Sequence, residues 1–267
     1  MPLKSKFTLA KGAGLCYNKP TECYFILYHT LSALSRDFLE KAGLFFKEHT
    51  MKTYTHCFFD LDGTLIDSAP GVTGCVRYAL EKLGVPAAPD RDLTCFIGPT
   101  LHYGFSTFCE LNEEDTDRAV ALYREKYSAG GLFDCRVYDG IENTLRALKE
   151  RGVVCVLATC KPHTYANRIL AHLGLDKYIS FVSGPELSGE RNEKHEVIAY
   201  ALEQLNICDP SSVLMVGDRA SDVTGARENA VDAVGVLWGF GSEDELSAAG
   251  AVANLASPCE LLNFFEA

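Results

Sequence analysis

Three things are scarce in this 267-residue chain, and each scarcity excludes a class of protein. Basic residues are few: 25 Lys plus Arg stand against 36 Asp plus Glu, for a formal net charge of -11. A protein that grips nucleic acid by its phosphates needs patches of Lys and Arg, so nucleic acid is not an expected partner. A small phosphorylated molecule is not excluded, because it needs only one or two local cations or a metal. Long apolar runs are also scarce. The longest near the N-terminus spans Cys23 to Tyr28 and stops at His29, far short of the roughly 20 residues of a spanning helix. Lys11 interrupts any apolar core that would follow Lys4 and Lys6 in a signal peptide. No membrane partner is therefore expected, and the chain reads as soluble. Paired cysteine motifs, finally, are missing. Eleven cysteines scatter from Cys16 to Cys259 with no CxxC and no Cys/His set at zinc spacing. A disulfide scaffold concentrates its cysteines in a short secreted chain, so reduced thiols and a cytoplasmic location are the expectation.

What is present is globular: 47% apolar and 23% charged residues, in a chain long enough for one large domain or a core with an insert. The first fifty residues differ from the rest. They carry seven Lys/Arg and four Asp/Glu, a net of +3, while 51–267 carries 18 and 32, a net of -14. Residues 30–48 have an amphipathic helical spacing, with Leu31, Leu34, Phe38, Leu39 and Phe45 on one side. Met51 then precedes a strong strand. Residues 1–50 are read as an N-terminal extension, either translated from an upstream start or a loosely packed or weakly targeting segment. With one Arg and four acids, the stretch lacks the composition of a transit peptide.

Beyond Met51, apolar strands alternate with helices. Strands are expected at Tyr54–Asp60, 153–158, Ile179–Ser183, 211–218 and Ala233–Leu237. Helices are expected at 71–84, 141–151, Tyr165–Leu173, Glu193–Leu205 and Ser221–Asn229, with two short helical pieces closing the chain. Such alternation implies a parallel sheet covered on both faces. Between about 69 and 138 it is interrupted by helices near 100–110 and 115–128, which suggests an inserted helical cap. The expected organisation is a catalytic core of 51–68 and 139–267 with a cap at 69–138.

Ligands of doubly wound sheets bind at the carboxyl ends of the strands. Three expected strands end in chemistry: Asp60-Leu61-Asp62-Gly63-Thr64, then Thr159-Cys160-Lys161, then Gly217-Asp218 with Asp222 four residues on. Asp60, Asp62 and Asp218 at neighbouring strand ends crowd negative charge, which raises pKa values or recruits a cation. Hard oxygen ligands suit Mg²⁺ better than zinc. One aspartate is then a candidate nucleophile toward a phosphate, a second a candidate acid/base, and Thr159 with the following amides a cradle for phosphate oxygens. A lysine would offset the charge that builds on the transferred group.

The segments FDLDGTLIDS (59–68), VLATCKP (156–162), Lys194 in KHEVIAYAL and VGDRASD (216–222) resemble, in order and spacing, the four motifs of the haloacid dehalogenase-like superfamily. The resemblance covers about 51–267. LDKYISFVSG, KHEVIAYALEQLNI and GVLWGFGSEDEL are similar to its phosphoglycolate phosphatase-like branch. The resemblance implies a Rossmann-like α/β core with a helical cap and gives each residue a role. Asp60 is the nucleophile that forms an aspartyl-phosphate. Asp62 is the acid/base and lends its backbone carbonyl to Mg²⁺. Thr159 and Cys160 bind phosphate, Lys194 is the motif-three lysine, Asp218 is a direct Mg²⁺ ligand and Asp222 a supporting carboxylate. Arg191 and Lys161 compete with Lys194 for its role. Lys161, His102 and Arg124 are weaker candidates for touching substrate, and Cys160 replaces the Asn common in relatives.

Those roles imply a Mg²⁺-dependent phosphomonoesterase acting on a small phosphorylated metabolite, with phosphoglycolate as the leading substrate and a monomer or homodimer as the expected state. The rivals are a nucleoside 5'-monophosphatase or pyrophosphatase, a phosphomutase of the β-phosphoglucomutase kind, and a non-catalytic phosphate-binding protein.

Overall fold

The computed structural model describes residues 53–85 and 92–265. The expected N-terminal extension at 1–50 lies outside the described residues. Six strands form one parallel sheet. In chain order they are β1 (His56–Phe59), β4 (Val154–Ala158), β5 (Phe181–Ser183), β6 (Val213–Gly217), β7 (Asp232–Val236) and β8 (Ala253–Leu255), and their spatial order is β5-β4-β1-β6-β7-β8. This is the expected Rossmann-like sheet. A second, two-residue pairing joins β2 (Ile66–Asp67) to β3 (Arg136–Val137) antiparallel.

The sheet is buried on both sides because successive side chains of a strand point to opposite faces. Cys57 and Phe59 of β1, Cys155 and Leu157 of β4, and Leu214 and Val216 of β6 enter one apolar cluster. Phe58, Val156, Ala158, Val213 and Met215 enter the other. That is why these strands read as continuous apolar runs rather than alternating ones. Phe58 is fully buried, and one such side chain contributes about 1.5–3 kcal/mol.

Helices return the chain between strands: α1 (Ala69–Lys82), the short α2 (Leu101–Tyr103), α3 (Glu113–Ala129), α4 (Ile141–Glu150), α5 (His163–Leu173), α6 (Lys194–Gln204), α7 (Ala220–Glu228) and α8 (Glu243–Ala249). Local signals set their ends. Asn112 caps α3 by accepting from the Asp115 amide at 2.9 Å, and Glu113, Glu114 and Asp115 follow in the first turn, where acids favour the helix dipole. Glu193 and Glu196 form a reciprocal capping box at the start of α6. On α3, Thr116, Ala119, Val120, Tyr123 and Tyr127 are buried. This stripe at helical spacing packs with Val72, Cys75, Val76, Ala79 and Leu80 of α1 in one cluster.

Two elements differ from the sequence reading. The closing segment contains strand β8 between α8 and a final 3₁₀ stretch at Pro258–Phe264, where two helical pieces are expected. With three residues, Ala253–Leu255 is too short to show alternation, and it is recruited to the sheet edge by pairing with β7. The stretch 69–138, expected to be all helical, ends in β3, whose pairing partners Ile66 and Asp67 lie 69 or more residues away in sequence. No local pattern announces such a pair. Among the described residues no helix is long and apolar enough to cross a membrane.

Candidate active site

The carboxyl ends of β1, β4 and β6 meet at the centre of the sheet, since β1 lies between the other two. Asp60 follows β1 directly and its amide donates to the Val216 carbonyl at 2.9 Å, which fixes the end of one strand to the next. The chain then turns sharply, with the Gly63 amide donating to the Ile66 carbonyl at 2.8 Å and Gly63 at φ 84°. A Cβ on Gly63 would lie 2.1 Å from Oδ2 of Asp218. Both the left-handed backbone and the close approach require glycine there.

Asp60, Asp218 and Asp222 are buried, and each offers a carboxylate oxygen within 4.8 Å of the others. Nζ of Lys194, at the start of α6, lies 2.6 Å from Oδ1 of Asp60 and 2.7 Å from Oδ1 of Asp222, and donates to the Ala158 carbonyl at 3.0 Å. Asp218 accepts from the Phe240 amide at 2.8 Å and from the Thr64 hydroxyl at 3.2 Å. Oδ2 of Asp222 accepts from the Arg219 amide at 3.0 Å. Thr159, at the end of β4, is buried. Its amide donates to the Ser183 carbonyl at 3.0 Å and its Oγ1 accepts from the Lys161 amide at 3.2 Å.

The electrostatics follow from burial. Desolvation pushes the Asp60 carboxyl up to about 6; Lys194 opposes the rise, and Asp222 and Asp62 add to it. Desolvation, then repulsion from Asp222 and Asp60, pushes Asp218 up to about 8, against the hydrogen bonds from Phe240 and Thr64. Burial alone would lower Lys194, but the carboxylates of Asp222 and Asp60 outweigh it and hold the ammonium well above its ordinary range. Burial raises the Cys160 thiol to about 11, so it stands as a neutral group beside Thr159.

These residues fit a hard divalent cation. Three carboxylates against one ammonium leave a formal charge of -2 when all are ionised. Oδ1 of Asp222 is buried, and among the described residues Nζ of Lys194 at 2.7 Å is the one polar partner beside it. Oxygen-only donors are the set that Mg²⁺ takes. The Asp62 carboxylate lies outside this triad: its Oδ2 pairs with Nζ of Lys161 at 3.0 Å. Of Asp62, that leaves the backbone carbonyl for a metal.

A cavity of about 530 Å³ opens over the site, bounded by Asp60, Asp62, Thr159, Cys160, Lys161, Lys194 and Asp222 on one side. Phe96, Ile97, Leu101, Tyr123, Tyr127 and Tyr165 supply apolar and aromatic wall, and His102, Arg124 and Arg219 also line it. Arg191 is absent from this lining and binds Glu186 at 2.6 Å instead. The sequence reading underweighted Lys161 and missed Tyr127. The signal for Lys161 was its place two residues past a strand-end threonine. Tyr127 lies at core spacing on α3, and nothing in the sequence separates it from packing.

The chain matches the family model of the haloacid dehalogenase-like hydrolases over residues 57–236. It is 40% identical over 195 residues to a 5'-nucleotidase of Pseudomonas aeruginosa, covering 73% of this chain and 88% of that one. It is also 40% identical over 188 residues to the tyrosine-protein kinase PtkA of Mycobacterium tuberculosis, covering 70% of this chain but only 63% of the kinase. Phosphoglycolate phosphatase 1 of Pseudomonas aeruginosa is 29% identical over 189 residues, 68% of this chain and 69% of that one. Among solved structures, one described as a predicted phosphatase from Clostridium acetobutylicum is 41% identical with a TM-score of 0.74, covering 79% of this chain and 97% of that one. The chain belongs to the haloacid dehalogenase-like hydrolases, in their phosphoglycolate phosphatase-like branch of phosphoric monoester hydrolases.

Proposed function

We propose that the protein is a Mg²⁺-dependent phosphomonoesterase working through an aspartyl-phosphate on Asp60. The observation that carries this is the buried grouping of Asp60, Asp218, Asp222 and Lys194, of which Asp60, Asp222 and Lys194 line the cavity together with Thr159. When bound, Mg²⁺ would be held by Asp60, Asp218, the Asp62 carbonyl and Asp222 in support, and would supply charge for the phosphoryl oxygens.

In the first half-reaction an Asp60 oxygen bonds to phosphorus, the ester P–O bond breaks, and the proton of Asp62 passes to the leaving oxygen. Lys194 orients Asp60 and offsets charge on the transferred group. The Thr159 hydroxyl and the Cys160 amide receive phosphoryl oxygens. In the second half-reaction Asp62 takes a proton from water. The water oxygen bonds to phosphorus and the bond to Asp60 breaks, which releases phosphate and restores the carboxylate. The segment 69–138 is proposed as the cap, because Tyr123, Tyr127 and Arg124 of α3 reach the cavity.

Phosphoglycolate remains a substrate by likeness to the branch. A second reading, a nucleoside 5'-monophosphate, is favoured by the size of the cavity and its wall of Phe96, Tyr123, Tyr127 and Tyr165. A two-carbon acid leaves most of that wall uncovered, whereas a base stacks on it. The similarity to a 5'-nucleotidase points the same way. A phosphate-release screen over phosphorylated metabolites, run with Mg²⁺ and with EDTA, tests both readings. Release that is indifferent to EDTA would remove the metal from the mechanism. Conversion of a hexose 1-phosphate to its 6-phosphate without phosphate release would replace it by a phosphomutase.

A further inference from the structure

Lys161 is the second buried lysine of the cavity, and its contacts are unusual for a substrate-binding cation. Nζ lies 3.0 Å from Oδ2 of Asp62 and donates to the Tyr127 hydroxyl at 2.5 Å. It stands 4.9 Å from the centre of the Tyr127 ring. The side chain is 8% exposed. An ammonium so enclosed needs fixed partners, and Asp62 and Tyr127 supply them. Burial would lower its proton affinity, but Asp62 foremost, then Tyr127 and Tyr123, hold it well above the ordinary range.

The partners are themselves held. Tyr127 stacks on Tyr123 with ring centres 5.3 Å apart and meets Tyr165 edge-on at 5.5 Å. The Lys161 backbone is tied to Oγ1 of Thr159. On Asp62, Oδ2 is taken by Lys161 while Oδ1 is buried with no hydrogen-bond partner. One oxygen of the carboxyl group is thus clamped and the other enclosed without a partner, so the group cannot swing freely in a residue that lines the cavity.

We infer that Lys161 and Tyr127 are positioning residues for Asp62. Lys161, fixed by the Tyr127 hydroxyl of α3, holds Oδ2 and so sets the orientation in which the Asp62 carboxyl group meets the leaving group. This rests on the acid/base reading of Asp62 given above. It goes beyond that reading by making the orientation of Asp62 depend on a hydroxyl carried by a different segment of the chain, between β2 and β3. Proton delivery is steep in geometry, so the pair acts on turnover rather than on binding.

The test compares two kinds of ester. The leaving group of p-nitrophenyl phosphate departs without a proton, whereas the alkoxides of 2-phosphoglycolate and adenosine 5'-monophosphate need one. Wild type, Tyr127→Phe, Lys161→Met and Asp62→Asn are assayed with Mg²⁺ on all three, with kcat and KM resolved and melting temperatures recorded. Tyr127→Phe keeps the ring and its stacking, so it remains informative if Lys161→Met folds poorly. The expected result is a fall in kcat/KM, which reports the first half-reaction, on the alkyl esters of roughly tenfold for Tyr127→Phe and more for Lys161→Met. On p-nitrophenyl phosphate the change in kcat/KM should stay within about twofold, since its leaving group needs no proton.

An equal loss of kcat/KM on all three esters overturns the proposal and leaves Lys161 as packing or as a direct substrate contact. Asp62→Asn separates the two ideas. If it shows the leaving-group dependence and the other two variants do not, only the positioning role fails. If it shows none, the acid/base reading falls and the positioning role with it.

Discussion

Two lysines are buried in this cavity, and each neutralises one aspartate of the first motif. Lys194 pairs with Asp60 and also touches Asp222 and the Ala158 carbonyl, so its partners come from the ends of β1 and β4 and from α7. Lys161 pairs with Asp62 and the Tyr127 hydroxyl, so one of its partners is carried by α3, outside the parallel sheet. The physical requirement is the same for both, since an ammonium out of water needs anionic or hydrogen-bonding partners. The mechanical consequence differs. The surroundings of Lys194 are set by the parallel sheet and the helices α6 and α7 of the core, while those of Lys161 also depend on where α3 sits. The nucleophile is therefore proposed as the fixed member of the pair of aspartates, and the acid/base as the adjustable one.

The largest expected effect is on the fixed side. Asp60→Asn keeps shape and loses the attacking charge. Turnover in a phosphate-release assay should fall by at least about a thousandfold, roughly 4 kcal/mol in the barrier, with the melting temperature near that of wild type. Near-normal turnover would remove the covalent step. Lys194→Met should follow, with turnover down on the order of a hundredfold. In EDTA it should also melt lower, because removing one partner of a buried pair costs about 3–5 kcal/mol. Mg²⁺ should restore part of that stability by binding the native carboxylates. A variant that melts like wild type in EDTA would mean that Lys194 does not hold the acidic group together.

On the adjustable side the effects should be smaller and coupled. In a thermodynamic cycle on folding stability, Tyr127→Phe and Lys161→Met should depart from additivity by about 0.5–3 kcal/mol, while Tyr127→Phe and Ser183→Ala, which share no partner, should add. Additivity of the first pair would mean that the 2.5 Å contact contributes nothing. The smallest change serves as a control. Tyr54 donates to Asp232 at 2.7 Å far from either lysine, so Tyr54→Phe should cost about 0.5–1.5 kcal/mol and leave turnover unchanged. Burial, then the hydrogen bond to Asp232, raises the Tyr54 hydroxyl well above its ordinary range. The native state therefore holds a proton that the unfolded chain releases above pH of about 10. The stability that Tyr54 contributes is complete below that pH and is lost as pH rises toward the folded value. Denaturant titrations at pH 8 and near pH 10.5 should show the gap between wild type and Tyr54→Phe narrowing at the higher pH.

The difference between the lysines also marks how far the sequence could be read. Asp60, Thr159 and Asp218 directly follow strand ends, where apolar runs stop at polar residues, Lys194 and Asp222 lie in the first turns of the helices α6 and α7, and every strand of the sheet except β8 showed such a run. Position on a parallel sheet then brings those ends together without further information. Lys161 stands in the same kind of place, but the choice of Asp62 as its partner is a side-chain event with no periodic signature. Tyr127 is one of two stacked tyrosines on a helix whose inward stripe looks like ordinary packing. The β2–β3 pair and β8 are two and three residues long, below the length at which alternation is visible.

The central place of β1 has a consequence for synthesis. Its two neighbours, β4 and β6, begin 98 and 157 residues after His56. Both edges of His56–Phe59 therefore stay open while most of the chain is still being made, and the acidic triad cannot assemble before Asp222 has emerged. Pairings this distant in sequence form slowly and leave apolar edges available to other chains meanwhile. The strand that carries the proposed nucleophile is thus also the one a ribosome-bound chaperone has most reason to cover.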